Sequence, residues 1–125
     1  MDKKLKTWSI VGVFITFLLA GGWHFLYDAL PCGVIGMIAP VNESPWEHAK
    51  LFFLPAIIWY IALYCIIGRK YPDFIFAHGV ALLVMPVLML LLYYSYRSLI
   101  EETLPLDLTN AFVTVAAVAF LAYRL

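Results

Sequence analysis

Charge is what this sequence has least of. Only 13% of its 125 residues are Asp, Glu, Lys or Arg, about half of the ~25% carried by a soluble domain. Between Lys50 and Arg69 there is no charged residue at all. So small a polar complement cannot cover a globule in water, which excludes a water-soluble fold and leaves lipid as the solvent over most of the surface. Cysteine is nearly absent as well. Cys32 and Cys65 belong to no Cys-x-x-Cys pair, which excludes a disulfide framework and a thiolate-rich zinc site. They fall toward opposite faces of the expected bilayer, much farther apart than the ~7 Å between Cα atoms that a disulfide tolerates. Both are expected to be free and packed. The chain also lacks His-Glu-x-x-His and Gly-x-Ser-x-Gly, the spacings of a zinc protease and of a serine nucleophile elbow. No basic patch marks it for nucleic acid, and no repeat or linker divides it.

Hydrocarbon is abundant: 65% of the residues are hydrophobic. They gather into four runs, at about 8–26, 51–68, 74–94 and 108–122. Each approaches the ~17–25 residues that cross a bilayer as a helix, the element that satisfies its own backbone groups in lipid. The expected fold is an all-α integral membrane protein, one transmembrane domain over residues 1–125. Its four helices, at about 7–29, 45–68, 73–96 and 107–123, are expected in an antiparallel bundle. Residues 31–43 are apolar but too short to span, and Pro31, Gly33, Gly36 and Pro40 interrupt them. They read as an extracytoplasmic interfacial or re-entrant segment folded over the bundle's outer end. Ala20-Gly21-Gly22 supplies the small residues of a signal-peptide cleavage site, yet the apolar character runs on through Trp23, Phe25, Leu26 and Tyr27. The first helix is therefore expected to be retained.

The few charges are sorted along the chain. Lys3, Lys4, Lys6, Arg69, Lys70 and Arg124 fall on one side of the expected membrane, and only Lys50 and Arg97 on the other. The positive-inside rule then makes both termini cytoplasmic, in a plasma or inner membrane. The fourth helix carries small residues in rows, Ala111, Val115, Ala119 and Thr114, Val118, Ala122. Such rows let helices approach closely in lipid and permit a homo-oligomer through this helix. His78 lies within two turns of the inner side and has no evident role.

One stretch gathers most of the chemistry: Pro-Val-Asn-Glu-Ser-Pro-Trp-Glu-His-Ala-Lys, residues 40–50. Part of it is a helix start, with Ser44 as N-cap, Pro45 at the first position and Glu47 closing a capping box. That leaves Asn42, Glu43, His48 and Lys50 unexplained. On the first helix His24 and Asp28 are spaced i, i+4 and share a face if the helix is continuous. The ends of consecutive helices are neighbours. The expected ligand-binding set is therefore His24, Asp28, Asn42, Glu43, Glu47, His48 and Lys50. Within it His24, Asp28, Glu43 and His48 could hold Zn²⁺ or another divalent metal, with Glu43, Glu47 and His48 as catalytic candidates around a metal-bound water. Three function classes follow: a metal or polar-ligand site that extends to a metal-dependent membrane hydrolase, a purely structural cap, and part of an ion or small-solute transport system. The charge-free stretch after Lys50 argues against a hydrophilic pathway within one chain.

The same motif, together with His24-Phe-Leu-Tyr-Asp28 and the region 68–77, resembles a family of small bacterial multi-pass membrane proteins known only as a domain of unknown function. The resemblance covers most of the chain and implies a bacterial inner-membrane protein, without implying an activity. Members of that family continue beyond the position of Leu125, which implies a further helix that a complete site would include.

Overall fold

The computed structural model describes residues 2–42, 44–101 and 103–125. Four long helices dominate it: α1 (Lys3–Trp23), α4 (Pro45–Ile66), α5 (Phe74–Arg97) and α6 (Leu104–Arg124). Two short ones, α2 (Leu26–Ala29) and α3 (Gly33–Ile38), lie between α1 and α4, and a 3₁₀ turn at Gly68–Lys70 leads into α5. Among the described residues there is no strand. The long helices are long and apolar enough to cross a membrane, as expected of a multi-pass membrane protein.

Each long helix packs against two others, and the contacts α1–α4, α4–α5, α5–α6 and α6–α1 close a ring. Neighbours meet in reverse sequence order: Trp8 with Trp59 and Phe17 with Phe52 across α1 and α4, and Tyr64 with Phe74 across α4 and α5. Leu18, Leu83, Phe76 and Leu91 point outward, more than half exposed, a surface suited to acyl chains. In lipid, apolar burial alone gives little drive to associate, so close packing must hold the ring. Fully buried Ala20, Ala56 and Ala81 supply it, with Met85 and Val118 filling the centre. The small-residue rows of α6 are used here. Ala111, Thr114, Val115, Val118 and Ala122 are all buried within the chain. At Gly12 the approach is close enough that a Cβ would stand 2.0 Å from Trp59 Nε1.

The two ends of the ring differ. At one, Asp2, Tyr71, Asp73, Arg124 and Leu125 line a common depression, so both termini and the α4–α5 turn share an end. Asp2 caps α1 by accepting from Lys4 N at 2.8 Å and also accepts the Tyr71 hydroxyl proton. That hydrogen bond holds the Asp2 carboxyl below the usual carboxylate range and pushes the Tyr71 phenol up from 10.0 to about 12. The termini and their basic neighbours thus sit together at one face. His78, nearby on α5, is buried; its Nδ1 donates to Phe74 O at 2.9 Å, and its ring stacks on Phe74 with centroids 3.8 Å apart. It is a satisfied packing histidine. Cys32 and Cys65 are both free, and both are exposed rather than packed.

Candidate functional site

At the opposite end the chain turns back twice, and the turns place the polar residues. Gly21 and Gly22 are poor helix formers, and α1 stops just beyond them. His24 N still reaches Ala20 O at 2.9 Å, but Phe25 N bonds Gly22 O at 3.3 Å, three residues back. The helix restarts at Leu26. The continuous i, i+4 face expected for His24 and Asp28 is thereby broken. His24 is half-buried and turns inward, whereas Asp28 is exposed.

The 40–50 motif builds a clasp. Ser44 caps α4 by accepting from Glu47 N at 3.2 Å, and Asn42 Oδ1 accepts from Ser44 N at 2.9 Å in an Asx turn. Glu47 does not complete the expected capping box, because Asn42 has taken the Ser44 N–H. Its Oε2 instead accepts from Val41 N at 3.1 Å and pairs with Lys50 Nζ at 2.6 Å. Lys50 Nζ also donates to Gly36 O at 2.9 Å, and Trp23 Nε1 donates to Ile38 O at 2.8 Å. One ammonium and one indole therefore tie α3 to the ends of α4 and α1. Of the expected ligand set, Asn42, Glu47 and Lys50 are engaged in this clasp. Glu43 lies outside the described residues.

His48, one residue on from Glu47, faces the other way. Its ring meets that of His24 with centroids 5.9 Å apart. The two imidazoles open on a cavity of about 140 Å³, to which α5 contributes Tyr93 and α6 contributes Asp107 and Asn110. Leu51, Phe52, Met89 and Ala111 form much of its apolar wall. Asp107 Oδ1 accepts the Tyr96 hydroxyl at 2.5 Å. Asn110 is held at both ends of its amide, Nδ2 donating to Met89 O at 3.3 Å and Oδ1 accepting from Thr114 Oγ1 at 3.3 Å. All four long helices thus send a polar side chain to one apolar pocket.

Two of these groups were not legible as site residues. Asp107 reads as an outer-loop residue when α6 is started at 107, yet α6 begins at Leu104. The signal was there: Thr103 as N-cap, Pro105 in the first turn and an acid just behind it are the marks of a helix start. Starting the helix three residues earlier moves Asp107 from its first position to its interior, on one face with Asn110, i and i+3.

As a metal centre the arrangement is short of donors. Among the described residues no three His, Cys, Asp or Glu side chains converge on a point that could hold an ion, and zinc sites use at least three protein ligands. What the pocket can do is hydrogen-bond. Two imidazoles, each a side chain that can both donate and accept, stand side by side against an apolar wall.

Neither a curated protein nor a solved structure matches the chain. A family profile does, over residues 1–125, so that this four-helix membrane-type chain belongs to the family of unknown function DUF6512.

Proposed function

We propose that this protein binds a small amphiphile at the extracytoplasmic end of its helix ring, the ligand's polar head held between His24 and His48 and its apolar part against Leu51, Phe52 and Met89. The observation that carries this reading is the joint pocket: polar side chains from four helices around a space of about 140 Å³. A cavity of ~150 Å³ lined with apolar side chains accepts a benzene-sized molecule, so the part of the ligand that enters, head and apolar portion together, is ring-sized. The Asp107 carboxylate beside the imidazoles disfavours an anion, which makes a neutral head with hydrogen-bonding edges the best fit. The sidedness rests on charge. Lys3, Lys4, Lys6, Arg69, Lys70 and Arg124 belong with the termini, and the positive-inside rule sets that end in the cytoplasm of a bacterial inner membrane.

A second, structural role belongs to Asn42, Glu47 and Lys50, which bond to Ser44 N, Val41 N, Gly36 O and one another. They hold α3 across the end of the ring rather than touching the ligand.

Ala111 lies on the pocket wall and is 8% exposed, so a phenyl group there occupies the ligand's space. Organic extraction of the purified wild-type protein, followed by mass analysis, is expected to release one amphiphile in near-stoichiometric amount. Ala111→Phe is expected to release none, while Val113→Phe on the exposed side of α6 behaves as wild type. The same amphiphile recovered from Ala111→Phe, or none from the wild type, would contradict the proposal.

A further inference from the structure

The ring has a further recess on its outside, toward the end that carries the termini. A groove of about 610 Å³ runs between α1 and α6, with Phe14 and Phe112 at the end away from Lys3 and Ala116 and Ala119 between. Lys3 and Lys6 stand at its mouth, with Ser9 and Tyr123 just inside. The two lysines are i, i+3 and so share a helical face. From Lys3 to Phe14 is about 17 Å at 1.5 Å per residue. That matches the ~15 Å of half a hydrocarbon core.

We infer that this groove is a binding site for one anionic phospholipid of the leaflet on the side of the termini. The acyl chain lies along the apolar floor, and the headgroup phosphate sits between the Lys3 and Lys6 ammonium groups. Charge complementarity selects the occupant. Among the described residues neither ammonium is ion-paired. The carboxylate nearest in sequence, on Asp2, is turned to Lys4 N and the Tyr71 hydroxyl. A phosphodiester with no compensating cation of its own supplies what two neighbouring ammonium groups lack, and a zwitterionic headgroup supplies it only in part. The Ser9 and Tyr123 hydroxyls lie where the ester linkage would fall. The small side chains of Ala116 and Ala119 on the groove floor leave room for methylenes. This site is independent of the outer-end cavity and uses none of its residues.

The test is native mass spectrometry of the detergent-purified full chain titrated with phosphatidylglycerol or phosphatidylcholine. The wild type is expected to retain one phosphatidylglycerol, at least about fivefold more readily than phosphatidylcholine. Lys3→Gln with Lys6→Gln is expected to abolish that preference, whereas Lys4→Gln, a charge change beside the groove but not in it, keeps it. Ala116→Phe fills the floor and is expected to lose retention of both lipids with all lysines intact. Equal retention of the two lipids by the wild type would overturn the inference. So would a Lys4→Gln effect as large as that of the double variant, or a dimer peak in place of the lipid adduct that Ala116→Phe abolishes.

Discussion

Gly12→Ala is expected to destabilise the protein by about 3 kcal/mol, the upper end of the ~1–3 kcal/mol for forcing extra carbon into a packed core. The added Cβ would lie 2.0 Å from Trp59 Nε1, 2.6 Å from Cε2 and 2.9 Å from Cδ1. Nothing flexible can give way. The three atoms belong to one rigid indole, buried and tilted against Trp8 with ring centroids 6.2 Å apart. Either the indole leaves its rotamer or α1 separates from α4. Denaturation in mixed detergent micelles, read by tryptophan fluorescence, measures the loss. Gly21→Ala and Gly79→Ala are the contrast. At both positions a Cβ meets nothing within 4 Å, and a helical alanine in place of glycine is expected to gain ~0.5–1 kcal/mol. A Gly12→Ala protein as stable as these would show that the α1–α4 contact is looser than described.

The second large effect is at the clasp. Lys50→Met removes the ammonium that joins Glu47 Oε2 to Gly36 O, and leaves the carboxylate with Val41 N alone. A one-sided deletion strands the remaining partner, at a cost of ~1–3 kcal/mol, more when charge is left without compensation. A fully buried pair would cost ~3–5 kcal/mol. With Lys50 27% and Glu47 14% exposed, water offsets part of that, and about 2 kcal/mol is expected. The loss is local. α3 should open to limited proteolysis between α2 and α4 while the ring itself stays assembled. Glu47→Gln should open the same segment, and the double variant should cost clearly less than the two singles added, since both act on one contact. Full additivity would mean that the two residues hold the cap separately.

The membrane fold was readable because its cause is compositional. Four apolar runs separated by charged or Pro-rich turns leave a helix as the element that can satisfy its backbone in lipid, and α5 begins and ends, and α4 ends, close to where the runs do. The start of α4 was readable from Ser44 and Pro45, local chemistry that acts within four residues. Two things were not readable. The break just beyond Gly21 and Gly22 is fastened by Trp23 Nε1 donating to Ile38 O, a contact fifteen residues away that no helical periodicity contains. The fate of Glu47 depended on a competition, in which Asn42 reached the Ser44 N–H first and freed Glu47 for Val41 and Lys50. The candidate site was half legible for the same reason. His24 and His48 stand out as polar residues at helix ends, but Asp107 and Asn110 join them only once the helices close into a ring and α6 sits beside α5.

That His24 and His48 together hold the ligand's head is tested most directly by a native mass spectrum of wild type, His24→Leu, His48→Leu and Asp28→Asn, taken with an elemental analysis of the same samples. A one-to-one small-molecule adduct on the wild type and on Asp28→Asn, missing from each histidine variant, is the predicted result. An adduct that survives both histidine replacements, or stoichiometric zinc in the wild type that disappears from both, would contradict it.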